Sequence, residues 1–547
     1  MARAKRLRRS QRAAPPPALA PAGSASTAHT LRAPGPALLL ALAAGAVLLL
    51  LVSLRWRAPA PRSYDEYFHL GLAREMWSGL RIESFPWTPF STAYDRFVDK
   101  EPLFHLALMP FSSLRLETAT LLGVLLGQVF VVAAFAWAFW TLRVPHAAWL
   151  LLALPALGTI FLSRLLTCRP HLWLIGFAVL TIALLVGERW KGLFVSSALF
   201  GLSHIAGWIA VPMAALWAAS GLLVRDGKEG GQAGRRYRVP WQPVAATSGG
   251  WLAGQLIHPA MPANFGMIAL QSFVVPFQAT TGASAALHAE LGTELKPPGF
   301  DLASEQWPAL LLGAVVLFAL LRHAELRSRA TLTAGAFAVA FLLAALQIRR
   351  FFELGAPLAL LALALLVRER RLRHVEGWFA RGAVGAAACA LPLALLSTVG
   401  LAHRYDTGKW SPPRLMAQWL GEHGQPGERV FTAQWADSSP LFYSAPQLQS
   451  LVAVDSTFFF EKDPALFATY TQIVWGRHPD PLRAIRERFG ARWVSVWKIY
   501  PTFGRQLQSR GAAIAYTDPD YVIFDLGPPP AGTPRIDPRL ARAAEVR

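Results

Sequence analysis

Cysteine and acidic residues are both scarce in this chain, and each scarcity closes off a class of protein. Cys168 and Cys389 are the only two cysteines in 547 residues, and both sit in or beside apolar runs, so no disulfide framework and no cysteine metal site can be built. Charged residues make up only 16% of the chain against 54% hydrophobic, and the apolar residues gather into long uncharged runs. That distribution excludes an ordinary soluble enzyme, because a run of about 20 mostly apolar residues matches the hydrocarbon core of a bilayer. No internal repeat relates the two halves. The last part of the chain carries no glycine-rich phosphate loop and no nucleophile motif.

Acidic residues number 33 against 53 Lys and Arg, a net charge of +20. The basic residues lie between apolar runs, the distribution that orients helices in a membrane, so the charge reads as topology before nucleic-acid binding.

The apolar runs predict about eleven transmembrane helices: 35–55, 116–142, 147–162, 171–187, 192–204, 206–224, 244–258, 308–322, 331–347, 351–367 and 382–402. Residues 192–224 are too long for one crossing, and Ser203, His204 and Gly207 mark the break. With the N-terminus inside, the clusters Glu188-Arg189-Trp190-Lys191, Arg225 to Arg238, Arg327 with Arg329, and Arg368 to Arg373 all fall inside, as the positive-inside bias expects. Residues 1–34 read as a disordered basic cytoplasmic tail, and the first apolar run as a retained anchor, since it lacks a small-residue cleavage site.

The outside face then carries a long first loop, 56–115, the turn at His204, the loop 259–307, and everything after about Ala402. Residues 403–527 change character. Short β-type runs at 429–432, 451–454, 493–496 and 521–524 alternate with helical stretches at 463–475 and 480–490, which predicts a small soluble α/β domain. Residues 528–547 read as a disordered Pro-rich tail. The expected fold class is an α-helical polytopic membrane protein with a C-terminal α/β domain.

The first outside loop opens Ser63-Tyr64-Asp65-Glu66-Tyr67-Phe68-His69 and closes Asp95-Arg96-Phe97-Val98-Asp99-Lys100-Glu101-Pro102-Leu103-Phe104-His105. Asp65 and His69 are four apart and share a helix face. One carboxylate and one imidazole so placed can bind a divalent cation, Mg or Mn, or supply a base with an orienting partner. The same residues also suit a polar face on an interfacial helix.

These loop motifs, taken with Cys168-Arg169-Pro170-His171, Ser203-His204-Ile205-Ala206-Gly207, His258-Pro259 with Asn264-Phe265-Gly266, and Arg349-Arg350-Phe351, resemble the GT-C superfamily of membrane glycosyltransferases. The likeness is to the bacterial protein mannosyltransferase and aminoarabinose transferase branches, and it covers residues 35–402 in order. Two departures stand out: Ile205-Ala206 interrupts a His-Gly-Gly, and Glu101 replaces a first proline.

The resemblance implies inverting transfer of a sugar from a polyprenyl-phosphate-linked donor to a glycan, lipid or protein acceptor outside a bacterial plasma membrane. It implies Asp65, Glu66 and His69 as the catalytic group, with Asp65 the candidate base and Asp65 with His69 the candidate metal ligands. Lys100, Arg164, Arg169, Arg349 and Arg350 would bind the donor phosphate, while Asp99, Glu101, His204 and His258 would line the acceptor cleft. Arginines at helix ends also snorkel to headgroups, and Glu353 is expected to pair with Arg349 or Arg350 one turn away. Trp77, Trp87, Trp208 and Trp251 read as interface anchors, and Trp435, Asp437, Asp455 and Asp463 as residues facing the site. A transporter or lipid flippase, or a non-catalytic envelope-assembly subunit, are the readings from other classes.

Overall fold

The computed structural model describes residues 35–79, 83–224, 240–281, 293–299, 306–372, 413–451, 455–528 and 530–533, together with Gly400 and Pro538. The expected segment 1–34, the helix at 382–402 with Cys389, and most of the tail lie outside the described residues.

Four helices among the described residues are long and apolar enough to cross a membrane: Pro36–Trp56, Leu116–Thr141, Ile205–Leu223 and Arg349–Arg370. Shorter apolar helices run through His171–Val186, Trp307–Arg322 and Arg329–Ala345. Large apolar side chains such as Leu42, Leu49, Leu223, Ile257 and Leu343 stay exposed on the outer face. In water such a surface would aggregate, whereas lipid tails cover it at no cost. The bundle interior is packed by Val131, Phe135, Phe161, Ile175, Phe200, Phe352 and Leu361.

Two breaks interrupt the bundle helices. The helix Trp190–Ser203 stops at His204, whose backbone is extended, and the chain restarts through a 3-10 turn, Ile205–Ile209. The expected single helix at 147–162 is instead three pieces: Ala147–Leu152, a 3-10 turn Leu154–Ala156, and Thr159–Leu165. Pro155 has no N–H to donate, and Gly158 takes φ +139°, a conformation L side chains avoid, so the regular helix cannot continue.

The helix Gln242–Leu256 lies against Trp190–Ser203 through Gly250 and Gly254. A Cβ at Gly254 would stand 2.5 Å from Ala198 O, and one at Gly250 would strike Phe194 O. Two small residues four apart therefore let the backbones touch, as in membrane helix pairs.

The C-terminal unit holds a four-stranded sheet in the order β1-β2-β4-β3, with β1 Val430–Thr432, β2 Trp493–Trp497, β3 Ala513–Thr517 and β4 Tyr521–Asp525. β1 runs parallel to β2, and the other two pairings are antiparallel. Phe431, Phe459, Tyr470, Ile485, Phe489, Val494, Phe503 and Phe524 form its core. The helices Pro464–Val474 and Pro481–Arg488 each start on an aspartate cap, Asp463 and Asp480, and Gly490 takes φ +60° just after the second. Asp463 is thereby spent on Leu466 N at 2.8 Å and does not face the site. Leu451 lies in a bend outside the sheet, and 452–454 fall outside the described residues. β3 has no counterpart in the pattern reading.

The first loop clamps this unit to the bundle. Trp87 is 1% exposed, and its Nε1 donates to Pro446 O at 2.8 Å, so it is a core residue and no interface anchor. Ser450 N donates to Trp87 O at 2.7 Å, Gln449 Nε2 to Pro86 O at 3.0 Å, and Arg74 to Tyr443 O at 2.7 Å. Lys462 pairs with Asp95 at 2.7 Å.

Candidate active site

The helix Tyr64–Trp77 begins with a capping box: Ser63 Oγ accepts from Glu66 N, and the Glu66 carboxylate accepts from Ser63 N at 3.1 Å. Glu66 is fully buried. Its other oxygen accepts from Cys168 N at 2.8 Å and lies 3.6 Å from Arg55. These bonds pin the start of the helix to the Cys168-Arg169 turn. Glu66, expected in the catalytic group, has both carboxylate oxygens engaged in fastening the helix start.

That fastening brings Asp65 against Arg169, whose Nη2 lies 2.5 Å from Oδ2. Arg169 also meets Glu294 Oε2 at 3.2 Å, and Arg164 donates to the same oxygen at 2.7 Å. Arg164 Nε lies 2.7 Å from Glu353, and Arg350 lies 3.6 Å from Glu294 Oε1. Glu353 therefore pairs with Arg164, not with its helix neighbours Arg349 or Arg350 as expected. The break at Pro155 and Gly158 turns the short Thr159–Leu165 helix so that Arg164 reaches this point.

Three guanidinium groups and three carboxylates balance in one partly buried cluster. Burial alone would raise the Glu294 carboxyl, but Arg169, Arg350 and Arg164 hold it well below the usual range. Pattern reading passed over Glu294, which lies in the 259–307 stretch without a motif. The one signal available was an acid on the side where the arginines gather.

The remaining expected phosphate ligands do not join the cluster. Arg349 makes no ion pair among the described residues, and its N–H donates to Lys296 O at 3.2 Å. Lys100 Nζ stands 5.9 Å over the Phe458 ring.

A second group lies in the first loop. His69 Nδ1 is 2.7 Å from His105 Nε2, and His105 Nδ1 is 2.8 Å from both Asp99 oxygens. Burial first, then His105, Arg169 and Lys100, push the His69 imidazole well below its ordinary pKa, which keeps it neutral. Asp65 and His69, the metal pair expected from sequence, take different partners: Asp65 meets Arg169 and His69 meets His105. His258 Nε2 meets Asp99 O at 3.0 Å, and with Asp99, Glu83, Asp95 and Arg96 it lines a cleft of about 440 Å³. His204 is buried; its Nδ1 accepts from Ala206 N at 3.0 Å and caps the 3-10 turn, which gives it a structural place rather than one in that cleft.

The C-terminal unit holds the other residues expected to face the site. Asp455 accepts from Gln271 at 3.0 Å and from Thr457, and Trp435 is half-buried. Asp437 is buried and accepts from Tyr521 at 2.9 Å.

The breaks in the bundle, a structured first loop carrying an acid against an arginine, and a sheet-bearing unit docked on that loop make up a fold shared with solved structures of GT-C membrane glycosyltransferases. The chain is similar to the archaeal oligosaccharyltransferase AglB of Archaeoglobus fulgidus in complex with an inhibitory peptide and dolichol-phosphate, with a TM-score of 0.54, 14% identity, and coverage of 84% of this chain and 69% of that one. It is equally similar to ArnT of Cupriavidus metallidurans bound to undecaprenyl phosphate, with a TM-score of 0.54, 12% identity, and coverage of 90% and 99%. A further AglB structure, holding Zn and sulfate, matches with a TM-score of 0.51 at 14% identity, over 84% of this chain and 68% of that one. At these identities the likeness is one of fold. No protein-family profile matches the chain, and no curated protein matches it.

Proposed function

We propose that the chain is an integral membrane glycosyltransferase that moves a sugar from a polyprenyl-phosphate-linked donor to an extracytoplasmic acceptor with inversion. The observation that carries this reading is the convergence of Arg164, Arg169 and Arg350 on one carboxylate beside Asp65. Guanidinium groups grouped around an anion make a seat for phosphate, and their planar forks suit it. That AglB and ArnT hold dolichol-phosphate and undecaprenyl phosphate supports the donor class.

In this reading an acceptor hydroxyl attacks the anomeric carbon from the face opposite the phosphate. The new C–O bond forms as the bond to the phosphate oxygen breaks, the electron pair leaves with the phosphate, and Asp65 takes the hydroxyl proton. Arg164, Arg169 and Arg350 stabilise the charge gathering on the leaving phosphate. The cleft lined by Asp99 and His258 serves as the acceptor's approach. The bundle spans the bacterial plasma membrane about eleven times within 35–402, with residues 1–34 inside and the unit at 403–527 outside.

The test is transfer from radiolabelled polyprenyl-phosphate sugars in membranes, with wild type beside Asp65→Asn. A general base contributes on the order of 10²- to 10⁴-fold, so the variant should lose at least about 100-fold in turnover. Undiminished transfer by Asp65→Asn removes Asp65 from its role, and a wild type that turns over no lipid-linked sugar removes the enzyme reading. Reporter fusions after Arg238 and Lys409 check orientation, inside for the first and outside for the second.

A further inference from the structure

The helix Tyr64–Trp77 presents two opposite faces. On one, Asp65 meets Arg169, Glu66 meets Cys168 N and Arg55, and His69 meets His105. Tyr64, Tyr67, Phe68, Gly71 and Arg74 recur at steps of three, one, three and three, which puts them together on the other. That second face belongs to the C-terminal unit, whose helix Ser438–Ser444 lies along it. Tyr67 meets the Tyr443 ring edge-on with centroids 5.9 Å apart, Phe68 meets Phe442 at 6.0 Å, and Arg74 stands 4.3 Å over Tyr443. A Cβ on Gly71 would come within 2.7 Å of the Phe442 ring, so the missing side chain is what lets that ring seat.

The grip ends one residue from Asp65. Tyr64 opens the helix, and its hydroxyl hydrogen-bonds to Asp437 and Tyr521 of the C-terminal unit. Asp437 is fully buried, Tyr521 is 2% exposed, and Tyr521 donates to Asp437 Oδ1 at 2.9 Å. Such a bond fixes a distance and a direction at the turn that bears Asp65.

We infer that Tyr64 is a positioning residue for Asp65, held by Asp437 and Tyr521, so that the C-terminal unit sets the geometry of the candidate base. The inference rests on the role proposed for Asp65. Tyr64 acts through the backbone it shares with its neighbour. Glu66 fastens the same turn to the bundle from the other face, through Cys168 N. The carboxylate is thus clamped between the bundle and the C-terminal unit. Releasing one clamp leaves the helix formed, with its capping box intact, but lets Asp65 shift, and a misplacement of about 1 Å costs on the order of 100-fold in rate.

Steady-state transfer from radiolabelled polyprenyl-phosphate sugars, by the full-length protein in membranes, tests this. Tyr64→Phe removes one oxygen; it should lower kcat by ~10- to 100-fold, keep the donor KM within about 2-fold, and leave the thermal midpoint in detergent little changed. Asp437→Leu should lower kcat in the same way, and Asp437→Asn, which keeps an acceptor for the tyrosines, should restore most of it. In the Asp65→Asn background, Tyr64→Phe should add no further loss, because it acts through the group already removed. Full activity in Tyr64→Phe overturns the inference and leaves the base assignment standing. A loss that adds to that of Asp65→Asn, or that follows a lowered thermal midpoint, overturns it too. Undiminished transfer by Asp65→Asn, or no turnover by the wild type, fells the base assignment and this inference together.

Discussion

Asp65 Oδ2 lies 2.5 Å from Arg169 Nη2, so the candidate base and a candidate phosphate ligand are bonded to one another. A carboxylate held this way is not free to meet an acceptor hydroxyl until the arginine turns to another anion. Donor binding would supply that anion and release Asp65 at the moment it is needed. Arg169→Ala should therefore weaken binding of polyprenyl phosphate, while Asp65→Asn should spare binding and abolish turnover. Equal loss of binding in both variants would show that the pair acts only as scaffold.

Glu294 sits where the proposed function seats the donor phosphate, with Arg164 at 2.7 Å and Arg169 at 3.2 Å on one oxygen. Glu294→Gln removes the competing charge and should bind polyprenyl phosphate several-fold tighter, by roughly 1 kcal/mol, the scale of one partly exposed ion pair. Calorimetry or fluorescence titration at fixed salt reads the difference. Weaker binding would mean that Glu294 holds the arginines in shape instead.

Asp437 is fully buried, with Tyr521 donating to Oδ1 at 2.9 Å, and burial raises its pKa well above the carboxylate range. A group whose folded pKa is raised binds more protons when folded, so its stabilising effect is complete below the unfolded value of about 3.9 and is lost as pH climbs through the folded pKa. Asp437→Asn should raise the thermal midpoint at pH 8 and leave it little changed at pH 4. The same shift at both pH values would contradict a protonated Asp437.

Arg492 bridges Asp525, at 2.9 and 3.0 Å, and Glu428 at 2.8 Å. Glu428 is 3% exposed and also accepts from Trp493 Nε1. Removing Arg492 leaves a buried carboxylate with its charge uncompensated, so Arg492→Ala should cost the C-terminal unit about 3 kcal/mol. Thermal or denaturant unfolding measures this, and a loss within experimental error would refute it.

Gly254 allows its helix to touch Ala198 O, where a Cβ would come within 2.5 Å. Gly254→Leu should push the helices apart and lower the thermal midpoint in detergent, whereas Gly35→Leu, with nothing within 4 Å, should not. Equal tolerance of both would argue against a close crossing.

Much of the layout was legible in the chain. Helices at 116–142, 171–187 and 308–322 were read within a residue or so, because run length and flanking charge act locally. The helices expected at 463–475 and 480–490 likewise appear as Pro464–Val474 and Pro481–Arg488, whereas Asp463, read as facing the site, caps the first of them. β3 escaped because an exposed edge strand reading Ala-Ile-Ala-Tyr-Thr has no alternating buried face. The interruption at Pro155 escaped because hydrophobicity continues across it.

The sequence by itself determined a membrane chain and the break near His204, since hydropathy and charge are additive along a chain. Only the tertiary structure decided partners. Arg164 reaches Glu294 across 130 positions, Glu353 pairs with that same arginine rather than its neighbours, and Glu66 serves as a fastener while Asp65 faces the arginines. Coulomb attraction has no memory of sequence distance, so which acid meets which base is set by where the helices turn and how closely they pack.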